Sequence, residues 1–64
     1  MRVNGRERDC PEGWTVADLV ATLGRDPRTV AVERNAEIVP RARWSATPLH
    51  PGDHLELVHF VQGG

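Results

Sequence analysis

The chain has 64 residues, nine carboxylates against eight basic side chains, and a formal net charge of −1. That length holds one small core rather than two, and the charge lacks the basic excess of a nucleic-acid binder. Cys10 alone makes no intrachain disulfide, no run nears the roughly 20 apolar residues of a membrane span, and the absence of lysine removes amine nucleophiles.

Met1 to Asn4 and Arg6 to Cys10 read as two short strands joined at Asn4-Gly5, a two-residue hairpin signal. Pro11-Glu12-Gly13 breaks that pattern. From Thr15 to Leu23 the apolar residues Val16, Leu19, Val20 and Leu23 fall at i, i+3, i+4 and i+7, which predicts an amphipathic helix. Thr15 suits the N-cap with Asp18 reaching back to it, Trp14 precedes the cap as a hydrophobic staple onto Leu19, and Gly24 and Pro27 end the helix. Thr29 to Arg34 alternates Val30 and Val32 with polar or small neighbours and predicts a half-buried strand. Asn35-Ala36 is a turn in which alanine tolerates positive φ poorly, and Glu37 to Val39 returns as a brief strand stopped by Pro40. Arg41 to Ser45 predicts a single helical turn that brings Trp44 onto the core, and Thr47 to Leu49 reads as irregular. Pro51-Gly52 is a turn, and His54 to Val61 is the final and longest strand.

The order β-β-α-β-β-turn-β, with one helix stripe to bury, predicts an α+β β-grasp (ubiquitin-like) roll in which the first and last strands are neighbours. One domain is expected over 1–64, ending in a flexible Gly-Gly tail. Val3, Val16, Leu19, Val20, Leu23, Val30, Val32, Ile38, Leu55 and Leu57 are the expected core.

Few residues offer chemistry. His50, His54 and His59 lack a completing ligand set, and His54 and His59, an odd distance apart on one strand, face opposite sides, so no metal site is expected. Cys10 sits beside Asp9, whose charge disfavours a thiolate, and Ser45 is the only serine. The scaffold offers no catalytic residue and little volume for a substrate pocket of about 300 Å³ or more, so an enzyme is not expected. What remains is the tail Gln62-Gly63-Gly64 and the strand before it. Two glycines contribute no packing and order at an entropic cost, yet they make a thin tip with an unhindered α-carboxylate that could enter a narrow slot and be modified there. If Leu55 and Leu57 cover the helix, alternation leaves Val58 and Phe60 on the open sheet face as a docking patch, unless a bulge swings Phe60 into the core.

Taken together, Asn4-Gly5 through Cys10, Trp14-Thr15-Val16, Asn35 to Arg41 with Trp44, Gly52-Asp53 and Phe60 to Gly64 resemble the ThiS sulfur carriers of thiamin (thiazole) biosynthesis, small ubiquitin-like proteins. The resemblance covers essentially the whole chain. Two departures stand out: the first strand is shorter than the family's, and Asn35-Ala36 replaces its usual Asn-Gly. The resemblance implies that Gly64 is the covalently modified residue, adenylated and then carried as a thiocarboxylate. It implies that Gly63 and Gln62 thread the tail, and that Phe60 and Val58 dock partners. Those partners would be a ThiF-like adenylyltransferase that uses ATP, a ThiG-like thiazole synthase and a persulfide donor, all in the cytoplasm, with no cofactor bound to the carrier and no nucleic acid or membrane involved. Related carriers serve molybdopterin, cysteine or siderophore synthesis, and other ubiquitin-like domains act as plain interaction modules.

Overall fold

The computed structural model describes residues 1–60. Five strands wrap one helix: β1 (Arg2–Val3), β2 (Arg6–Glu7), α1 (Val16–Thr22), β3 (Val30–Arg34), β4 (Glu37–Val39) and β5 (His54–His59), with 3-10 turns at Pro27–Thr29 and Arg41–Ala46. The sheet order is β2-β1-β5-β3-β4. Only the β1–β5 pair is parallel, and it sets the first strand against the last as expected. This is the β-grasp roll.

Local chemistry explains each boundary. Thr15 caps α1 through a capping box: its backbone N–H donates to Asp18 Oδ2 at 2.9 Å, and the Asp18 N–H donates to Thr15 Oγ1 at 3.4 Å. Gly24 follows the helix at φ +68, the left-handed position that satisfies orphan carbonyls. At the tip of the first hairpin Asn4 (φ +50) and Gly5 (φ +80) form the primed turn expected there. The two strands are shorter than the sequence suggests, and beyond the Arg2–Glu7 pair one further exchange closes the hairpin: the Arg8 N–H donates to the Met1 carbonyl at 2.8 Å and the chain amine to the Arg8 carbonyl at 2.9 Å.

The helix buries Val16, Leu19 and Val20 against Val3, Val30, Val32, Leu55 and Leu57 of the sheet, and Met1, Trp44 and Leu49 close the edges. Trp44 arrives on its 3-10 turn as expected and donates its indole N–H to the Val39 carbonyl at 2.8 Å. Leu23, at the C-cap of α1, is half-buried and packs against the core from its edge, and one expected core residue is corrected. Ile38 is 64% exposed. The two-residue Asn35-Ala36 turn pairs Arg34 with Glu37 and hence Glu33 with Ile38. Because Val30 and Val32 point inward, Glu33 and everything opposite it must face outward. Val39 takes the inward place beside Val32. Leu49 was not expected inside. It lies in the irregular stretch that is drawn onto the helix start by a bridge between Thr15 and Pro48 and by the Leu49 N–H to Trp14 carbonyl bond of 2.8 Å.

Candidate functional site

β5 carries both the core and the candidate site. Leu55 and Leu57 are buried, while His54, Glu56 and Val58 alternate with them on the open face. The ladder continues one residue further: the Phe60 N–H donates to the Thr29 carbonyl at 2.8 Å. Phe60 therefore stays in phase with Val58 rather than swinging inward on a bulge. Val58 is 50% and Phe60 43% exposed, so the structure places the two expected docking residues together on the solvent face. Gln62, Gly63 and Gly64 lie outside the described residues.

Ile38, corrected out of the core above, joins this face. Register fixes its neighbours: β3 sets Ala31 opposite Val58 and Glu33 opposite Glu56, and β4 sets Ile38 opposite Glu33. Directly paired residues share a face, so the open side reads Ile38, Glu33, Glu56 in one row, then Ala31 and Val58, then Phe60 nearest the tail. The face of Ile38 was legible in the sequence: a two-residue turn plus an inward Val32 places it outside.

The root of the tail is braced on both flanks. On one side Thr29, the acceptor for Phe60, ends a 3-10 turn capped by Asp26, whose carboxylate accepts the Arg28 N–H at 2.9 Å. On the other, Asn4 Oδ1 accepts the Leu57 N–H at 2.8 Å, replacing a strand partner just where β1 has run out. The sequence marks Asn4 only as a turn residue. Its positive φ turns out to aim the side chain across 53 residues of chain to β5.

The other end of β5 is held by Asp53, the one buried charged residue among those described. Its Oδ2 accepts the Arg34 Nε–H at 2.9 Å and the His50 N–H at 2.9 Å, and its Oδ1 accepts Asn35 Nδ2–H at 3.1 Å. Asn35 in turn accepts the His54 N–H through Oδ1 at 3.0 Å. Burial pushes the Asp53 carboxyl up, but the His50, Arg34 and Asn35 hydrogen bonds and the Arg34 charge together outweigh it and hold the acid below its ordinary value. The network is structural: it ties the β3–β4 turn to the turn before β5, far from the tail. The partners lie 18 and 19 residues away in sequence, and only the Gly52-Asp53 pair hinted at them.

Other chemistry is sparse. Among the described residues no group of three His, Cys, Asp or Glu side chains is placed to hold a metal. No helix there is long and apolar enough to cross a membrane. Cys10 is half-buried and lines a shallow groove with Trp14, Leu49 and His50 at the end of the molecule away from the tail root.

Comparison with known proteins adds the tail to this picture. A family model described as the ThiS family matches residues 1–64, Gly63 and Gly64 included. The chain is 42% identical over 65 residues to a sulfur carrier protein ThiS of Bacillus subtilis, covering 100% of this chain and 98% of the relative. It is 47% identical over 62 residues to a thiazole synthase of Paramagnetospirillum magneticum, covering 97% of this chain but only 19% of that much longer protein. A crystal structure of a thiamine biosynthesis protein ThiS from Geobacter metallireducens superposes with a TM-score of 0.79 at 31% identity, covering 98% of this chain and 96% of the other.

Proposed function

The chain belongs to the ThiS family, and from that premise we propose that it is a sulfur carrier of thiamin biosynthesis whose Gly64 α-carboxylate is the working group. The observation that carries the reading is the end of β5: the apolar open face at Val58 and Phe60 stands directly before Val61-Gln62-Gly63-Gly64 in sequence. The scaffold contributes a docking face and a handle, and the chemistry belongs to partners.

A carboxylate is a poor acyl donor, because its charge repels nucleophiles and oxide is a poor leaving group. In the proposed cycle a ThiF-like adenylyltransferase spends ATP to convert the Gly64 carboxylate to an acyl-adenylate, releasing pyrophosphate. The terminal sulfur of a persulfide donor attacks the acyl carbon and AMP leaves. Thiol cleavage of the resulting S–S bond leaves a thiocarboxylate. That anion hands its sulfur to a thiazole synthase, a partner favoured because thiazole synthases themselves contain a stretch similar to this chain. Gly63 and Gln62 form the thread between docking face and nucleotide, where a side chain at Gly63 would clash. The carrier itself binds no cofactor, the nucleotide being the partner's, and the lone reduced cysteine suits a cytoplasmic setting.

Intact-protein mass spectrometry tests this directly. After incubation with the adenylating enzyme, ATP and a sulfur source, the chain gains the mass of one oxygen-to-sulfur exchange, located at the C-terminal residue by fragmentation. A chain lacking Gly64 shows no gain. A wild-type chain that never exchanges oxygen for sulfur refutes the carrier role.

A further inference from the structure

The open face is not uniformly apolar, and its charges say what sits on it. Glu33 and Glu56 are direct cross-strand partners between β3 and β5. The Asn35 N–H to His54 carbonyl bond and the Phe60 N–H to Thr29 carbonyl bond mark alternate positions of this ladder as hydrogen-bonded pairs, and the same alternation makes Glu33–Glu56 one of them. Two carboxylates on one face at that spacing repel. Among the described residues neither forms an ion pair, whereas Glu7, on β2 of the same sheet, is bridged by Arg2 and the chain amine. The chain has eight arginines, and none comes within ion-pair distance of either carboxylate.

The repulsion sits inside an apolar frame. Ile38 lies beside Glu33 in the same row, Val58 opposite Ala31 in the next, and Phe60 beyond them toward the tail. We propose that the Glu33–Glu56 pair is a receptor for one cationic side chain of the adenylating enzyme, a guanidinium or ammonium group ringed by apolar residues that cover Ile38, Val58 and Phe60. An arriving cation turns a like-charge pair into a two-carboxylate clamp, and the apolar ring removes water and strengthens it. The face is continuous with the strand that feeds the tail, so a protein seated there holds the tail at its own nucleotide. This assignment rests on the carrier reading for the identity of the partner, and on the sheet register alone for its chemistry.

Titration calorimetry with the purified adenylating enzyme of the same organism tests it, using Glu33→Gln, Glu56→Gln and the double variant. Each single variant should weaken binding roughly tenfold, as expected for loss of one partner of a desolvated charge pair, while its urea midpoint stays equal to or above wild type because the repulsion is gone. Salt should weaken the wild-type complex and leave the double variant's affinity nearly flat. Glu12→Gln removes the same charge near the Cys10 groove and should leave affinity unchanged. Wild-type affinity in the Glu33 and Glu56 variants overturns the assignment, as does a change confined to self-association of the carrier. A variant whose urea midpoint falls also overturns it, since the pair would then be stabilising the fold. Mass spectrometry on the same samples separates the two readings. Sulfur transfer with variant-insensitive binding sinks the clamp alone, whereas variant-sensitive binding without any modification of Gly64 sinks the carrier role alone.

Discussion

The two ends of β5 are built to opposite rules. At its start Asp53 is 7% exposed and every oxygen of its carboxylate is occupied by a donor from another element. At its far end Val58 and Phe60 stand half in water, and the strand is held by its β3 ladder, by the backbone bond to Thr29 and by the Asn4 carboxamide. One end spends polar chemistry on holding the fold, and the other leaves apolar surface unspent. A small domain that must present a tail to other proteins gains from this segregation, because changes at the docking end leave the fold's closure untouched.

The largest effect should appear where the two ends are made to disagree. Asp53→Asn keeps the shape but removes the charge that Arg34 faces, and should lower stability by about 2 kcal/mol in urea unfolding at neutral pH. The pH dependence has a definite sign. A carboxyl whose folded pKa lies below its unfolded value contributes stability in full above the unfolded value, near 3.9, and loses it as pH falls through the folded value. The difference between wild type and Asp53→Asn should therefore be constant near neutrality and shrink in strong acid. A gap that does not shrink would mean the carboxylate is not the stabilising species.

Phe60→Asp probes the other end. The side chain is 43% exposed and its backbone bond to Thr29 needs no particular residue, so the urea midpoint should move by less than about 1 kcal/mol. Binding to the adenylating enzyme should fall by tenfold or more. Collapse of the circular dichroism signal would show that Phe60 supports the fold and erase the contrast between the ends.

How much of this was readable in the sequence follows from the range of each interaction. The helix was legible because Thr15, Val16, Leu19, Val20 and Gly24 act on one another within a few residues. The strand order followed from having one stripe to cover. Val58 and Phe60 were legible from alternation once Leu55 and Leu57 were placed inside. Hydrophobicity alone puts Ile38 inside, whereas the two-residue turn before it fixes its face outward. Leu49 and the Asp53 network were hidden for a different reason. Their partners lie far away in sequence, and neither periodicity nor a short motif reports a contact made by an irregular segment. The Glu33–Glu56 opposition needs the β3–β5 register, which depends on where both strands begin.

The smallest effect lies at the turn joining the two rules, where β3 passes into β4 between the Asp53 network and Ile38. Asn35 (φ +52) and Ala36 (φ +70) both adopt the left-handed conformation that a primed two-residue turn demands. Asn35 tolerates it and uses its side chain on Asp53 and His54, but Ala36 has a Cβ crowding the next carbonyl and offers nothing in return. Ala36→Gly relieves that strain while adding chain entropy to the unfolded state, and relief of about 1–2 kcal/mol outweighs an entropic cost of about 0.4–1 kcal/mol. A net gain of roughly 0.5 kcal/mol is expected, read as a higher urea midpoint. Affinity for the adenylating enzyme should stay the same, because the register that puts Ile38 outside is already set by the turn length. A loss of affinity would show that Ala36 or the exact turn geometry touches the partner, and would extend the docking face to the end of the sheet that the contrast assigns to stability.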